Sequence, residues 1–145
     1  MEPHVRVKSL AVIVRPEDGA MLVEEGDNRT GGRFARPLGG SIEFGERAVD
    51  ALRREIVEEL GCELSRASFL AVLENHFHQD GVQGHEIIFV FRCDLAEPSL
   101  YRRESIPILD VPGLEAIWRH RQARSPRLVP EGLADLLAAN GLLPA

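Results

Sequence analysis

The stretch that decides the fold is GGSIEFGERAVDALRREIVEELGC, residues 39–62. After Gly45 it contains a run free of proline and glycine, and this run stops at Gly61, a residue type that often ends helices in a left-handed conformation. The run predicts an α-helix over residues 47–60. At about 100° per residue, its apolar side chains share one face, which we expect to pack on a sheet. That face consists of Ala48, Val49, Leu52, Ile56 and Leu60.

Three glutamates follow one side of this predicted helix. Glu59 falls within the apolar face, Glu55 at its margin and Glu58 one step further round. An ordinary solvated acidic face is the alternative interpretation, but such a face points away from the apolar residues. An unpaired carboxylate beside a core is costly, so a cation must compensate. Arg54 is one candidate, and divalent Mg²⁺ or Mn²⁺, which prefers hard oxygen ligands, answers three clustered acids better.

Two glycines open the stretch. Gly39 and Gly40 permit a close backbone approach or unusual dihedral angles, and a turn at this point would aim a backbone carbonyl at a metal ion. A plain turn is the alternative, because glycine pairs are common in turns. The spacing from this pair to the helical acids favours the functional interpretation.

The residues of this stretch resemble the Nudix box, G-x5-E-x7-R-E-U-x-E-E-x-G-U, in which U is a bulky apolar residue. Every fixed position is filled, and Cys62 at the final apolar position is a modest departure. The flanking hairpins, Trp118 after a glutamate and a terminal helix led by proline also resemble the family. The resemblance implies an α/β fold, a Nudix-type α/β/α sandwich with a mixed sheet, over residues 1–145. The matching positions are Gly40, Glu46, Arg54, Glu55, Ile56, Glu58, Glu59 and Gly61.

The resemblance also implies an activity, that of a metal-dependent hydrolase. Such an enzyme cleaves the diphosphate linkage of a nucleoside diphosphate derivative or a nucleoside triphosphate with Mg²⁺ or Mn²⁺ as cofactor. Its metal ligands would be Glu55, Glu58 and Glu59 with the carbonyl of Gly39, and Arg54 would orient the acids. The alternative is an inactive nucleotide-sensing or binding module with the same fold. The intact set of acids argues against that alternative, because their charges are costly to keep without metal.

Other residues are candidates for the general base and for contacts with the substrate. The general base is either a box glutamate or an acid from the loop after the second hairpin, where Glu97 and Glu104 stand. Glu46 is expected to stabilise the junction between loop and helix. Arg33 and Arg36 are expected to bind a phosphate group of the substrate, with a solvated strand edge as the alternative. The aromatic candidates for stacking on a base are Phe34, Phe44, Phe77, Tyr101 and Trp118.

Other metal and thiol chemistry is disfavoured. His76, His78 and His85 surround a predicted hairpin turn and raise the alternative of a zinc site, but no cysteine or carboxylate set completes tetrahedral coordination. Cys62 and Cys93 each lie in an apolar run without a neighbouring ligand, so both are expected to be free, buried thiols.

Outside the box, the pattern of β-branched residues and turns predicts a sheet. The segment 26–32 is expected to be a mobile loop and residues 98–111 to be irregular. A second, amphipathic helix is expected over residues 130–140. The expected strands are residues 5–14, 20–24, 33–38, 68–76, 85–93 and 115–119.

Composition limits the possible partners. The chain has 145 residues, 44% of them apolar, which suffices for one domain with a core. Its net charge of −6 argues against a broad nucleic-acid surface, and Lys8 is its only lysine. The N-terminus has neither a spanning helix nor the regions of a signal peptide, so we expect a cytoplasmic protein with no membrane partner. The expected partner is a small-molecule nucleotide of unspecified identity, with homodimer formation left open.

Overall fold

The computed structural model describes residues 3–28, 32–79 and 81–144. Within these ranges, eight strands form a mixed sheet and two α-helices lie against it. A short 3-10 helix, Pro98–Arg102, follows the longest hairpin. The helices are α1 (Ala48–Leu60) and α2 (Leu133–Ala139). The strands are β1 (Arg6–Ile13), β2 (Met21–Asn28), β3 (Gly32–Ser41), β4 (Leu64–Gln79), β5 (Val82–Leu95), β6 (Ser105–Pro107), β7 (Glu115–Arg119) and β8 (Arg127–Leu128).

Strand β3 connects the two halves of the sheet. Its C-terminal residues pair with β1 and its N-terminal residues pair with β2, both antiparallel. Strands β1 and β5 are parallel, whereas β4 and β5 form a long antiparallel hairpin. The strand order is β4-β5-β1-β3-β2-β7-β6, with β8 beside β3. The predicted mixed sheet is therefore confirmed.

Each helix covers a separate core, and β1 supplies side chains to both. Along a strand, successive side chains point to opposite faces. Ala11 and Ile13 are buried in the core of α1, and Leu10 and Val12 are buried in the core of α2. This arrangement of helix, sheet and helix confirms the α/β/α sandwich. The helical side chains fully buried in the two cores are Leu52 and Ile56 of α1 and Leu133 and Leu137 of α2.

The boundaries of several strands differ from those expected. Strand β2 continues to Asn28 and β3 begins at Gly32, so the ends of the expected loop 26–32 are paired strand residues. The remainder of that loop lies outside the described residues. The hairpin β4–β5 is also longer than expected at both ends. Cross-strand pairing extends these strands through polar residues that carry little periodic signal.

The later segments also correct the expectations. Residues 98–111 were expected to be irregular, but Pro98 begins the 3-10 helix and β6 pairs with β7. Helix α2 begins at Leu133 instead of residue 130, because Gly132 has a φ of 88° and is not helical. Both Cys62 and Cys93 are free and buried, as expected. None of the helices in the described ranges is long and apolar enough to cross a membrane.

Candidate active site

Helix α1 is fixed at both ends. The hydroxyl of the buried Ser9 in β1 donates a hydrogen bond of 2.8 Å to the carbonyl of Ala48 in the first turn. At the other end, Gly61 has a φ of 66° and its N–H donates to the carbonyl of Val57. This left-handed cap confirms the end predicted from the sequence. The acids of α1 therefore extend from a helix whose first turn is bonded to β1 and whose end is capped.

The three glutamates of α1 differ in burial in the predicted order. Glu59 is only 8% exposed, Glu55 is half-buried and Glu58 is exposed. Oε1 of Glu59 has no hydrogen-bond partner among the described residues. Burial raises the pKa of Glu59 to about 8, and the nearby charges of Glu24, Glu55 and Asp110 add to the shift. Burial also raises the pKa of Glu55, against the opposing effect of Arg54.

Arg54 joins the start of the helix to the acids. Its Nε and Nη2 donate to both oxygens of Glu46, at 2.9 and 3.0 Å. Its Nη1 donates to Oε1 of Glu55 at 3.1 Å and to Oε1 of Glu58 at 3.3 Å. The carboxylate of Glu46 also accepts the N–H of Glu43, and these contacts hold the pKa of Glu46 at about 2. Glu46 therefore connects the loop to the helix, because it accepts hydrogen bonds from Glu43 in the loop and from Arg54 in α1. This agrees with the role expected from the sequence.

Gly39 and Gly40 lie in close contact with neighbouring segments, Gly39 with β1 and Gly40 with Glu55 of α1. Gly39 has a φ of 154°, and a Cβ atom there would lie 2.0 Å from the carbonyl oxygen of Ser9 in β1. A Cβ atom on Gly40 would lie 2.2 Å from the carboxyl carbon of Glu55. Any side chain at Gly40 would therefore displace the carboxylate of Glu55. The pair lets β3 pass close to both β1 and the acids of α1.

Asp110, an acid not predicted from the sequence, lies beside two of the glutamates of α1. Carboxylate oxygens of Glu55, Glu58 and Asp110 all lie within 4.8 Å of one another, close enough to share a metal ion. The loop that carries Asp110 is held against α1, because the N–H of Leu109 donates to the carbonyl of Glu59 at 2.8 Å. Asp110 is far from α1 in the sequence and lies in an irregular segment. Only its position after the buried Ile108 distinguishes it in the sequence.

The two predicted arginines of β3 occupy different surroundings. Arg36 forms an ion pair with its cross-strand partner Glu24, and its charge lowers the pKa of Glu59. Arg36 therefore lies close to the acids. Arg33 pairs instead with Glu25 at 2.7 Å and is mostly exposed. Because side chains alternate along β3, Arg33 and Arg36 point to different faces.

The other predicted residues lie outside the acidic cluster. The carboxylate of Glu97 accepts the N–H and the hydroxyl of Ser99 and caps the 3-10 helix, and Glu104 is exposed just before β6. Neither belongs to the group of three acids within 4.8 Å, and Glu59 is not one of the three either, although the charges of Glu55 and Asp110 act on it. His76 and His85 stack with ring centroids 4.0 Å apart. In the described part of the chain, no group with metal-ligand geometry includes a histidine.

A cleft of about 990 Å³ adjoins the acids. Its walls come from β1, β3, the hairpin β4–β5 and residues 127–131. Arg36, Gly39 and Gly40 line it, Gly40 also lies against the carboxylate of Glu55, and the charge of Arg36 lowers the pKa of Glu59. The cleft and the cluster therefore share one boundary, with room on one side for a ligand and carboxylates on the other.

Several known proteins are similar to this chain over most of its length. A model of the NUDIX domain matches residues 5–106. The human 8-oxo-dGDP phosphatase NUDT18 is 28% identical over 144 residues, a match that covers 86% of this chain and 42% of the relative. The NAD-capped RNA hydrolase NudC of Shigella dysenteriae is 28% identical over 115 residues, covering 74% of this chain and 43% of the relative. The chain thus spans less than half the length of these two curated relatives.

Solved structures share the fold over most of the chain. The MutT NUDIX hydrolase of Burkholderia pseudomallei has a TM-score of 0.66 and 25% identity, covering 92% of this chain and 96% of that one. The ORF135 protein of E. coli has a TM-score of 0.59 at 22% identity, covering 97% and 91%. The family match covers more than two thirds of the chain. The chain belongs to the Nudix hydrolase family.

Proposed function

We propose that this chain is a metal-dependent hydrolase that cleaves the diphosphate linkage of a nucleoside diphosphate derivative or a nucleoside triphosphate. The observation that carries the proposal is the buried carboxylate of Glu59, whose Oε1 has no partner in the described part of the chain. It lies at the edge of a core beside further acids, where an uncompensated charge is costly. A divalent cation relieves that cost.

The donor set fits Mg²⁺ or Mn²⁺. Both ions prefer carboxylate and carbonyl oxygens, and the cluster offers only oxygen donors. Glu55, Glu58 and Glu59 would hold the metal, with the carbonyl of Gly39 as a further ligand. Asp110 joins this set because its carboxylate lies within 4.8 Å of those of Glu55 and Glu58. When bound, the cation supplies charge neutralisation at the phosphate oxygens and makes water a better nucleophile.

The other residues of the site position these groups. Arg54 orients Glu55 and Glu58 through its hydrogen bonds, and Glu46 holds Arg54 in place through two more. Arg36 borders the cleft, where its guanidinium would bind a phosphate group of the substrate that does not react. Arg33 has weaker support, because it pairs with Glu25 and does not line the cleft.

The general base is an acid that takes a proton from the attacking water. Glu97 and Glu104 remain candidates for this role, although the carboxylate of Glu97 already accepts two hydrogen bonds from Ser99. Asp110 is the better candidate among loop acids, because its carboxylate lies beside those of Glu55 and Glu58. An acid that binds metal and one that takes the proton are distinguished by the effect of Asp110→Asn on metal affinity.

The names of the relatives agree with this reaction class. One curated relative is named an 8-oxo-dGDP phosphatase and the other an NAD-capped RNA hydrolase. Both names describe hydrolysis, the first of a nucleoside diphosphate and the second of an RNA that carries an NAD cap. We therefore propose a nucleotide derivative as the substrate of this chain. The alternative, an inactive nucleotide-binding module, would bind such compounds without turnover.

A substrate panel tests the proposal. The full chain is incubated with nucleoside triphosphates, nucleoside diphosphates and a dinucleotide, with Mg²⁺ or Mn²⁺ and with a chelator as control. We expect release of phosphate, pyrophosphate or a nucleoside monophosphate that depends on the metal. Binding without any hydrolysis under either metal would favour the inactive module and overturn the proposal.

A further inference from the structure

The cleft contains a buried polar group that the proposed chemistry does not use. Asn75 of β4 and Glu86 of β5 are direct cross-strand partners, and both are more than nine-tenths buried. The amide of Asn75 donates to Oε1 of Glu86 at 3.3 Å. The ammonium of Lys8 lies 2.9 Å from Oε2 of the same carboxylate. All three residues line the cleft.

A buried carboxylate with two partners retains capacity for more hydrogen bonds. Each carboxylate oxygen accepts about two, and an ammonium has three donors. Glu86 and the amide oxygen of Asn75 thus offer acceptors beside the donor Lys8. A ligand edge that matches this group has neighbouring N–H donors next to a carbonyl oxygen. The Watson–Crick edge of guanine has this order, with two N–H groups beside O6, whereas adenine has an acceptor nitrogen beside its amino group.

We propose that the cleft binds the base of a guanine nucleotide, with Glu86, Asn75 and Lys8 contacting its hydrogen-bonding edge. The proposal rests on the proposed function for the presence of a nucleotide. The phosphates of such a nucleotide would point to the shared boundary, where Arg36 and Gly40 line the cleft and Gly40 lies against the carboxylate of Glu55.

Two aromatic rings in the cleft suit a planar base. The ring of Phe34 lies against its cross-strand partner Gly26, where a Cβ atom would be 2.4 Å away, and that of Phe77 lies against Gly84 at 2.2 Å. Each glycine lets a ring lie flat on the neighbouring strand, and both rings line the cleft. Stacking on such rings tolerates any base. The aromatic residues therefore supply affinity, and the polar group supplies the choice of base.

The remaining aromatic candidates are placed elsewhere. Tyr101 and Trp118 stack on each other with centroids 5.6 Å apart and pack against the core under α1. The hydroxyl of Tyr101 accepts the N–H of Leu95 at 2.7 Å, and the indole of Trp118 donates to the carbonyl of Arg103. Phe44 is fully exposed. Of the five aromatic residues selected from the sequence, the two in the cleft are Phe34 and Phe77.

The test measures binding without catalysis. Calorimetric titration of the full chain with GMP, IMP and AMP, in chelator, gives three dissociation constants. We expect GMP to bind about tenfold more tightly than AMP, because the loss of a paired hydrogen-bonding edge leaves buried groups unsatisfied. IMP lacks the 2-amino group and should fall between the two. Equal affinity for GMP and AMP, or no binding of any of the three, would overturn the proposal.

A matched pair of variants tests whether Glu86 determines the preference for guanine. Glu86→Gln should remove most of the preference for GMP over AMP, because the amide replaces an acceptor with a donor. Glu74→Gln is the control, since Glu74 is exposed on the opposite face of β4. Phe34→Leu should weaken all three nucleotides to a similar extent. An unchanged preference in folded Glu86→Gln would refute the assignment, and the comparison of GMP with IMP tests it even if this variant does not fold.

The outcome is separable from that of the proposed function. A preference for GMP in a chain that hydrolyses nothing would support the guanine site and refute the proposed hydrolase activity. Metal-dependent hydrolysis without any preference among bases would support the hydrolase and refute the guanine site.

Discussion

Helix α1 has a carboxylate near each end, and the two differ in their hydrogen bonds and in the direction of their pKa shifts. Before the helix, Glu46 accepts hydrogen bonds from Arg54 at 2.9 and 3.0 Å and from the N–H of Glu43, and its pKa is about 2. In the last turn, Oε1 of Glu59 has no partner in the described ranges, and burial raises its pKa to about 8. Both residues occupy fixed positions of one sequence motif.

The difference shows that the motif combines two tasks. Glu46 is satisfied by the protein itself and fixes Arg54 at the start of the helix. Glu59 is held in the charged form only at a cost, because it is buried beside other acids. If a bound metal ion offsets this cost, as proposed above, Glu59 acts in binding and Glu46 in structure. Substitution of each carboxylate should therefore have a different effect on turnover, metal binding and stability.

The largest expected effect is on turnover. Glu59→Gln keeps the size of the side chain but removes the charge that would face the metal. We expect kcat to fall by about 10²–10³, the range found when one preorganised electrostatic contact is removed. The measurement is the metal-dependent rate on the best substrate of the panel.

The control for turnover is Glu63→Gln, an exposed acid just beyond the helix. This variant should keep the wild-type rate. Circular dichroism should show the same folded spectrum for both variants. A wild-type rate in Glu59→Gln would remove Glu59 from the site.

The contrast between local and distant residues explains what the sequence could predict. Glu55, Glu58 and Glu59 lie within two helical turns, so the helical period alone places them on one side and ranks their burial. The end of the helix at Gly61 is equally local. The contact of Gly40 with Glu55, in contrast, is visible only in the structure, because the helical period does not place the glycine.

The rest of the site depends on contacts between distant segments. Asp110 reaches the acids because its loop is hydrogen-bonded to the end of α1. The cleft forms partly because the end of β2 meets the end of β4, where the amide of Asn28 donates to the carbonyl of His78 at 3.0 Å. Neither segment has a periodic pattern that indicates its partner. The sequence predicts the helix that bears the acids better than the walls of the cleft beside it.

The second prediction concerns stability in the presence of metal. Mg²⁺ or Mn²⁺ binds the folded chain and should stabilise it by about 2.7 kcal/mol at a hundred times the dissociation constant. For a chain of this size, the melting temperature would rise by roughly 5–10 °C. Glu55→Gln/Glu59→Gln should lose this rise and be no less stable than the wild type in chelator.

Glu63→Gln again provides the comparison, because its rise should equal that of the wild type. Thermal unfolding at a series of metal concentrations measures the rise in melting temperature of the wild type, the double variant and Glu63→Gln. If the double variant responds to metal as strongly as the wild type, the acids of α1 are ordinary surface residues.

The smallest expected effect is a dependence of stability on pH in the absence of metal. The pKa of Glu59 is about 8 in the folded chain, against 4.5 for a glutamate side chain in water. Between these values the folded state retains a proton that the unfolded state has released, so the free energy of unfolding falls as the pH rises. The limit is about 1.4 kcal/mol per pH unit, or about 2 kcal/mol from roughly pH 5.5 to 7. Glu46 has a lowered pKa and acts with the opposite sign, below pH 4.5.

Urea unfolding in chelator at a series of pH values measures this slope. Glu59→Gln cannot titrate and should show a flatter profile over the same window, whereas Glu46→Gln should keep the slope above about pH 5.5. Addition of metal should also flatten the wild-type profile, because the cation favours the ionised carboxylate. Identical slopes in the wild type and Glu59→Gln would mean that Glu59 is ionised without assistance. The carboxylates at the two ends of α1 would then differ in their contacts but not in their charge.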